Sequence, residues 1–384
     1  MLEVTSRIDG NAVIVKIAGR VDSTNAPQLD SQIEAAGPSE RLVLDAEGLE
    51  YISSAGLRVI LKHRKKHADT EIVNASTEVY EILDMTGFTE MMSVKRAYRT
   101  VSVEGCEVIG QGANGKVYRI DPDTVVKVYL REDCLADIEH EREVAKKALV
   151  LGIPTAISYD VVRVGSHYAS MFEMLNAKSF SQLMAADPEG LEKYAVLFVK
   201  LLKQIHATEV PAGQLPDQRE ALLQWVDFIS SCLPEDVYRK MRRMCEEIPT
   251  CSYMIHGDYH TKNTMLQDGE VILIDMDTLA VGHPVLEFGA MYNTFFGFAM
   301  VDHSRTKEFL DYDYDTARKF WEAVLRLYYG TDDKGVLALR EKQAQTVGLV
   351  RLLRRSIRRK NEPELFEYGK AEFCRLVREL DSLV

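Results

Sequence analysis

Three oxygen-bearing side chains lie close together in residues 254–277, and they are of the types that phosphoryl transfer uses. Asp258, in the segment HGDYHTKN, is followed by Asn263 five residues later and by Asp275 twelve residues after that. The carboxylate of Asp258 can accept the proton of an attacking hydroxyl group, whereas Asn263 and Asp275 offer the hard oxygen ligands that Mg²⁺ prefers. A metal ion held by these two residues would bridge the phosphates of a nucleotide. The spacing therefore favours a nucleotide and Mg²⁺ as cofactors, with Asp258 as the candidate catalytic residue.

The same stretch also fits a plain β-hairpin with polar residues in its turn. The turn would lie at residues 267–269, and the apolar strand at residues 271–274 ends just before Asp275. A carboxylate at the end of an apolar strand favours the chemical interpretation. A glycine-rich segment and a lysine upstream favour it further, because a nucleotide has to be positioned by such elements.

The glycine-rich segment GQGANGKV places Gly110, Gly112 and Gly115 before Val117. Strand-like sequence lies on both sides, so the segment predicts a hairpin and not the strand-to-helix turn of a dinucleotide-binding fold. In a kinase-type glycine loop the missing side chains let backbone N–H groups approach phosphates. Val117 is expected to press on the adenine ring.

Lys127 is the one charged residue in the apolar strand TVVKVY. An unpaired charge there would be costly, so we expect it to contact the nucleotide phosphates and a glutamate of the next helix. That helix covers residues 135–151, where Glu139 and Glu143 are four apart and share a face. Counting back from the predicted helix end at Gly152 favours Glu143 as the partner, with Glu139 in reserve. An edge-strand lysine that reaches out to water is the alternative.

Two further strands are predicted at residues 161–164 and 168–174, and the second runs into the segment FEMLNAKSF. In a kinase-like arrangement the hinge lies at such a passage from strand to helix. We therefore expect the backbone groups of Glu173 and Leu175 to bind the edge of the adenine. Amphipathic helices are predicted for much of the remaining chain.

Together these segments resemble the aminoglycoside phosphotransferase and choline kinase-like family, which has a protein-kinase-like fold. The resemblance covers about residues 103–330 and is most specific at HGDYHTKN, at ILIDMD and at the pair of glycine loop and lysine. It implies a two-lobed α+β domain over residues 99–384, with an antiparallel-sheet N-lobe at residues 103–175 and a helical C-lobe at residues 176–384. It also implies transfer of the γ-phosphate of ATP to a hydroxyl group of a small molecule.

The resemblance extends to residues around the catalytic loop, with one departure. The family often reads Gly-Asp-Pro and then a helical Asp after the metal ligand, and that Asp braces the loop. Here residues 282–284 read Gly-His-Pro and Glu287 stands at the later acidic position, so Glu287 is expected to take over the bracing. His256 is expected to brace the loop as well. His260 stands two residues past Asp258, where protein kinases have a lysine that contacts phosphate.

Residues 1–98 are a separate part in which strand and helix patterns alternate, as in a small α/β sandwich. The segments GRVDSTNAPQL and LVLDAEGLEYISSAGLRVIL resemble the STAS domain of anti-sigma factor antagonists. In phosphorylatable members the loop reads Asp-Ser-Ser-Gly, and the serine before the glycine takes the phosphate. Here Ala55 stands before Gly56, and Ser53 and Ser54 are expected to cap a helix. The resemblance implies a regulatory domain that binds a protein partner.

The composition argues against several other classes of protein. The 59 acidic and 47 basic residues give a net charge of −12, which disfavours a nucleic-acid partner. No apolar run approaches the roughly 20 residues that span a bilayer, and the first residues alternate like a strand and not like a signal peptide. We therefore expect no membrane contact and a cytoplasmic location. The basic run at residues 62–66 is expected to be a solvated helix face. The run at residues 351–359 fits a plain helix face or a docking surface, and the plain face is favoured.

Two functions remain open on the sequence. The first is an ATP- and Mg²⁺-dependent phosphotransferase for a small molecule, with an N-terminal STAS regulatory module. The alternative is a regulatory protein whose STAS module binds an anti-sigma factor or similar partner, while its kinase-like domain phosphorylates a protein or senses nucleotide. No long hydrophilic insert lies between Asp277 and Pro284, which favours the small-molecule function. An aminoglycoside, choline, a sugar and an amino acid all fit as acceptors.

Overall fold

A computed structural model describes residues 2–37, 39–67, 69–112 and 115–384 of the chain. The tip of the predicted glycine loop, residues 113–114, lies outside the described residues. The chain divides into two compact units, one of residues 1–105 with 161–169 and one of residues 106–160 with 170–384. Across the described part of the chain, no helix is both long and apolar enough to cross a membrane.

The first unit is built on a five-stranded sheet with the strand order β1-β2-β3-β4-β5. Its elements are β1 (Glu3–Asp9), β2 (Ala12–Val21), α1 (Ala26–Ala35), β3 (Arg41–Ile52), α2 (Ser54–Lys66), β4 (Asp69–Ala75), α3 (Thr77–Met85), α4 (Phe88–Met91) and β5 (Ser93–Arg96). The hairpin of β1 and β2 is antiparallel, and the other pairs of neighbouring strands are parallel. Apolar residues of the strands and helices bury one another in a single core. The predicted α/β sandwich is confirmed.

Helix α2 begins at a tightly packed turn. Ser53 caps it, because its side chain accepts a hydrogen bond from the Gly56 N–H. A Cβ at Gly56 would lie 2.6 Å from Cγ1 of Val21, so this position has room only for glycine.

The sequence predicts that the basic run in α2 is a solvated helix face. In the structure, several of its side chains also form ion pairs with α1. Lys62 bonds to Asp30 at 2.7 Å and Lys66 bonds to Glu34 at 2.8 Å, both across to α1. His63 is buried and contacts Asp30 at 2.7 Å. The acids of α1 are spaced one helical turn apart, so they meet these basic residues in register.

The chain next forms a sheet lobe, whose residues 161–169 belong to the first unit. Its elements are β6 (Glu107–Gln111), β7 (Gly115–Arg119), β8 (Thr124–Tyr129), α5 (Leu135–Val150), β9 (Asp160–Val164) and β10 (His167–Glu173). The strand order is β6-β7-β8-β10-β9, and β6, β7 and β8 pair in the antiparallel sense.

A helical part follows the sheet lobe and contains two short sheets. Its elements are β11 (Lys178–Ser179), α6 (Phe180–Ala186), α7 (Leu191–Ala207), α8 (Gln218–Ile229), α9 (Glu235–Glu246), β12 (Met254–Ile255), β13 (Thr264–Gln267), β14 (Glu270–Leu273), β15 (Ala280–Val281), α10 (Pro284–Phe295), α11 (Ser304–Leu310), α12 (Tyr314–Tyr329), α13 (Lys334–Arg359) and α14 (Pro363–Glu379). The predicted two-lobed, kinase-like α+β fold is therefore confirmed.

Helices α10 and α13 cross at a pair of glycines. A Cβ at Gly289 would lie 2.5 Å from Cγ1 of Val347, and a Cβ at Gly348 would lie 2.5 Å from the carbonyl oxygen of Gly289. Larger residues would therefore push the two helices apart. The close crossing matters for the site, because Glu287 and Arg351 lie within one turn of these glycines.

Candidate active site

The segment 256–263 is a loop that hydrogen bonds to buried groups hold in place. Tyr259 is fully buried, and its hydroxyl donates to the carbonyl oxygen of Phe198 at 2.7 Å. Glu287, also fully buried, accepts hydrogen bonds from the backbone N–H groups of His256, Gly257 and Tyr259. Three backbone donors on one carboxylate fix the path of the loop. The structure thus places Glu287 where the sequence expects a brace.

The charge of Glu287 is maintained in its buried position. Burial would raise the pKa of this carboxyl group, but His206, at 3.8 Å, and the backbone donor of His256 outweigh it and lower the pKa. His256 is fully buried, and burial lowers the pKa of its imidazole. Its Nδ1 accepts the N–H of Asp258 at 3.3 Å. A neutral His256 therefore orients the backbone just before the predicted catalytic carboxylate.

Asp258 lies between two positively charged or ionisable groups. Its Oδ2 is 3.5 Å from Nε2 of His260, and its Oδ1 is 3.7 Å from Nη1 of Arg351. Burial would raise the pKa of Asp258, but His260 and then Arg351 lower it below its ordinary value. The carboxylate is consequently ionised at neutral pH and can accept the hydrogen of a hydroxyl group.

His260 braces Asp258. Besides that contact, its Nδ1 accepts the N–H of Lys262 at 3.2 Å, and its ring packs edge-on against Phe309. The imidazole is almost completely buried. The position that protein kinases use for a phosphate-contacting lysine is therefore occupied here by a side chain that faces the catalytic loop.

Asn263 and Asp275 are joined through the backbone. The Ile274 N–H donates to the carbonyl oxygen of Asn263 at 3.0 Å, one residue before Asp275. The side-chain amide of Asn263 donates to the carbonyl oxygen of Asp258 at 3.1 Å. Because its nitrogen is used in this way, the amide oxygen is the atom of the Asn263 side chain that could bind a metal ion. Asp275 has a left-handed backbone with φ of 65°, a conformation that Asp tolerates better than most residues.

Lys127 contacts the predicted metal ligand directly. Its Nζ lies 2.8 Å from Oδ1 of Asp275 and 2.9 Å from Oε1 of Glu141. Burial would lower the pKa of Lys127, but Asp275 and Glu141 outweigh it and hold the pKa above its usual range. Tyr129 adds a hydroxyl that donates to Glu141 at 2.8 Å.

The predicted pairing of Lys127 with Glu143 is wrong, because Glu141 takes that place. Glu143 lies on the outer face of α5 and pairs with Lys147 at 2.7 Å. Glu141 lies three residues after Ile138 and four before Ala145, both of which are buried. The apolar stripe of α5 therefore carries Glu141 toward β8, and the phase of the helix decides the partner.

Asp277 is a further carboxylate close to the charges of Asp275 and Glu141. Loss of hydration and then the nearby Asp275 and Glu141 raise the pKa of Asp277 to about 7. The Asp277 side chain has an exposed surface, so water screens part of this repulsion. The raised pKa indicates surplus negative charge beside Asp277. Asp275 and Asn263 suit Mg²⁺, which takes one or two carboxylates together with phosphates and waters.

The glycine loop is a hairpin, as predicted, with Gly110 opposite Val117 and Gln111 opposite Lys116. A Cβ at Gly115 would lie 2.4 Å from the carbonyl oxygen of Val128, so this glycine is required by the close approach of β7 to β8. Gly112, in contrast, has open space around its Cα. Only part of the glycine pattern is therefore explained by packing.

Val117 is half-buried and lies opposite Lys127 in the β7–β8 ladder. The predicted adenine contact is thus on the strand next to the lysine that is predicted to bind phosphate. At the predicted hinge, β10 ends at Glu173, and the N–H of Met174 donates to the carbonyl oxygen of Asp123 at 2.7 Å. Contact of the backbone groups of Glu173 and Leu175 with the adenine edge stays a prediction.

Arg351 is a site residue that the sequence argument missed. It lies in a basic run of α13 that was expected to be a plain helix face. Its Nη1 donates to the carbonyl oxygen of Gly257 at 2.8 Å, besides its approach to Asp258. The run RLLRRSIRR carries no local sign of this contact, which spans 94 positions along the chain.

Comparisons with known proteins match two families in the chain. A family model described as the phosphotransferase enzyme family, APH, matches residues 105–320. A model of the STAS domain matches residues 3–103. A Bordetella bronchiseptica protein, BtrV, that carries the name of an anti-sigma factor antagonist is 35% identical over 94 residues, which cover 23% of this chain and 80% of that protein.

Two solved structures are similar to this chain. A thermostable mutant of the aminoglycoside phosphotransferase APH(4)-Ia, in a ternary complex with ADP and hygromycin B, superposes with a TM-score of 0.51 at 12% identity. The match covers 71% of this chain and 93% of that one. The gentamicin complex of APH(2")-IIa gives a TM-score of 0.47 at 15% identity, over 80% of this chain and 97% of that one. The first of these supports the kinase-like fold.

Proposed function

Because the chain belongs to the APH phosphotransferase enzyme family and carries a STAS domain before the phosphotransferase part, we propose a specific reaction. The kinase-like part transfers the γ-phosphate of ATP to a hydroxyl group of a small molecule in the presence of Mg²⁺. The observation that carries this proposal is the chain of contacts from Glu141 through Lys127 to Asp275. Kinase-type phosphoryl transfer uses a lysine that pairs with a helix glutamate and an aspartate that holds Mg²⁺, and these contacts bring residues of the three types together.

Each side chain has a stated task in the proposed reaction. Asp258 accepts the hydrogen of the acceptor hydroxyl group, whose oxygen forms a bond to the γ-phosphorus as the bond to the leaving ADP oxygen breaks. Lys127 holds the α- and β-phosphates, and Glu141 holds Lys127. Mg²⁺, bound by Asn263 and Asp275, would neutralise charge on the phosphates. Catalysis is then mostly positioning and electrostatic stabilisation.

Two structural features support a small molecule as the acceptor. Only a short segment separates Asp277 from the start of α10 at Pro284, and β15 occupies part of it. It therefore has no room for the long activation segment with which protein kinases hold a peptide. The acceptor accordingly has to be bound by the helical part near Asp258.

The test is consumption of ATP by the full chain with a panel of hydroxylated metabolites and aminoglycosides. We expect turnover with one class of acceptor, and we expect removal of Mg²⁺ with a chelator to abolish it. An Asp275→Asn variant should lose turnover, because it gives up a carboxylate ligand. Turnover that persists equally in the chelator and in Asp275→Asn would refute the proposed role of the metal site.

A second function is favoured by the STAS domain. The relative named as an anti-sigma factor antagonist matches over 80% of its own length. We propose that the first unit binds an anti-sigma factor or a similar protein through the N-terminus of α2. Ser54 is exposed there, directly after the cap residue Ser53.

A Ser54→Asp substitution tests this second function. The new charge lies at the helix N-terminus, where it is tolerated by the fold, so a changed interaction would report on the surface itself. A purified anti-sigma factor should bind the full chain and should bind the variant more weakly. Equal binding by both proteins would place the interface elsewhere, and no binding by either would remove the proposal.

A further inference from the structure

The C-terminal half of α13 is rich in arginine and begins beside Asp258. From residue 343 to residue 359 the helix contains no acidic residue. Its arginines, which we call the α13 arginines, are Arg351, Arg354, Arg355, Arg358 and Arg359. The first three are half-buried and the last two are exposed.

Two of the α13 arginines, Arg354 and Arg355, are held by aromatic rings and not by carboxylates. The Arg354 guanidinium lies 4.9 Å from the ring centre of Trp225, and that of Arg355 lies 4.1 Å from the ring centre of Phe298. Among residues 2–37, 39–67, 69–112 and 115–384, no carboxylate lies within ion-pair distance of the α13 arginines other than Asp258. The nearby Glu362 is already paired with Arg305 at 2.6 Å.

These guanidinium groups repel one another. Burial and then Arg358 lower the pKa of Arg354, and burial and then Arg359 lower the pKa of Arg355. Arginine stays protonated at neutral pH even so. The surface beside the catalytic carboxylate therefore carries positive charge that the protein itself leaves uncompensated, which an anion would relieve.

We propose that the α13 arginines bind an anionic group of the acceptor, a carboxylate or a phosphate, so that the acceptor is an anionic alcohol. The inference rests on the proposed phosphoryl transfer at Asp258. A planar guanidinium offers paired donors that match a carboxylate or phosphate. A polycationic acceptor would instead need carboxylates at this surface, and the described part of α13 beyond residue 342 supplies none.

Arg351 and Arg355 are the arginines that we expect to bind the anionic group of the acceptor. Arg351 contacts both Gly257 and Asp258. It therefore lies beside the place that the reacting hydroxyl group would occupy in the proposed reaction. Arg355 is one turn further along the same face, about 6 Å away. An acceptor whose anionic group is a few bonds from its hydroxyl group would bridge this distance.

The experiment measures binding to the full chain saturated with Mg·ADP. The probes are glucose, gluconate and glucose 6-phosphate, which carry hydroxyl groups with no charge, a carboxylate or a phosphate, and kanamycin as the polycation. We expect at least one anion to bind about tenfold more tightly than glucose. The comparison of gluconate with glucose 6-phosphate distinguishes the two kinds of anion.

An Arg355→Gln variant should lose most of this preference while glucose binding stays the same, and Arg355→Lys should keep part of it. Arg340→Gln is the matched control, because Arg340 lies on the same helix and also stacks on an aromatic ring, that of Tyr329. Binding of glucose or kanamycin as tight as that of both anions would overturn the inference. Anion preference without any phosphoryl transfer would instead refute the proposed function and leave the anion site standing.

Discussion

The contacts of Lys127 predict that two neighbouring glutamates of α5 differ sharply in their effect on nucleotide binding. Glu141 is almost buried and receives hydrogen bonds from Lys127, at 2.9 and 3.2 Å, and from Tyr129. Glu143 is two residues further on, its side chain is 65% exposed, and it contacts Lys147. Glu141→Gln and Glu143→Gln therefore make the same chemical change on opposite faces of one helix.

The expected magnitudes follow from the two environments. In Glu141→Gln the negative charge beside Lys127 is lost and one of the two acceptor oxygens becomes an amide donor, so the ammonium group is drawn toward Asp275, which it contacts at 2.8 Å. Loss of a hydrogen bond to a charged group costs about 1.5–3 kcal/mol, which corresponds to roughly a 10- to 100-fold weaker affinity for Mg·ATP. Glu143→Gln loses an exposed i,i+4 pair worth about 0.3–0.5 kcal/mol, so its affinity should change by about twofold or less.

The assay is calorimetric titration of the full chain and of both variants with a non-hydrolysable Mg·ATP analogue, so that no acceptor is needed. A circular dichroism spectrum of each variant checks that the helix content is unchanged. The reasoning is refuted if Glu143→Gln weakens binding as much as Glu141→Gln does, or if Glu141→Gln binds like the unchanged chain.

Three further predictions concern the supports of the site and the first unit. Glu287→Gln should lower stability by about 1–3 kcal/mol, because an amide nitrogen would face backbone donors; urea unfolding checks this. Gly348→Ala, with Gly335→Ala as its control on the same helix, should lower stability by about 1–3 kcal/mol through overpacking and reduce turnover as well; equal effects of both would contradict it. Burial lowers the pKa of the His63 imidazole, so the unfolded chain binds this proton more readily than the folded chain does. The free energy of unfolding should therefore decrease as the pH drops below about 6.5. Thermal unfolding across that pH range should show a weaker fall for His63→Gln.

Local patterns were sufficient for the parts of the molecule that are close in the chain. The segment HGDYHTKN and the strand before Asp275 form the loop and hairpin that their spacing predicts. In the same way, the strand TVVKVY coincides with β8, Thr124–Tyr129. These elements depend on turns and strand pairing between adjacent residues, which the sequence shows directly.

Contacts that depend on how a helix is rotated, or on how two helices cross, were not predicted from the sequence. Choosing Glu143 came from counting back from a helix end, although the buried row of Ile138, Ala145 and Ala148 marks the inward face and includes Glu141. Arg351 reaches the loop only because Gly289 and Gly348 let α10 and α13 approach closely. Such a crossing is decided by tertiary packing, so no local pattern reveals it.

The most direct test of the central claim, phosphoryl transfer at the loop of residues 256–263, is the turnover of Asp258→Asn. Asp268→Asn is the matched control, because Asp268 is exposed in the turn between β13 and β14 and its left-handed backbone suits Asn equally well. With the acceptor that supports turnover, Asp258→Asn should be slower by about 10²- to 10⁴-fold, with unchanged affinity for Mg·ADP. Undiminished ATP-dependent turnover in Asp258→Asn would contradict the assignment of Asp258 as the catalytic base.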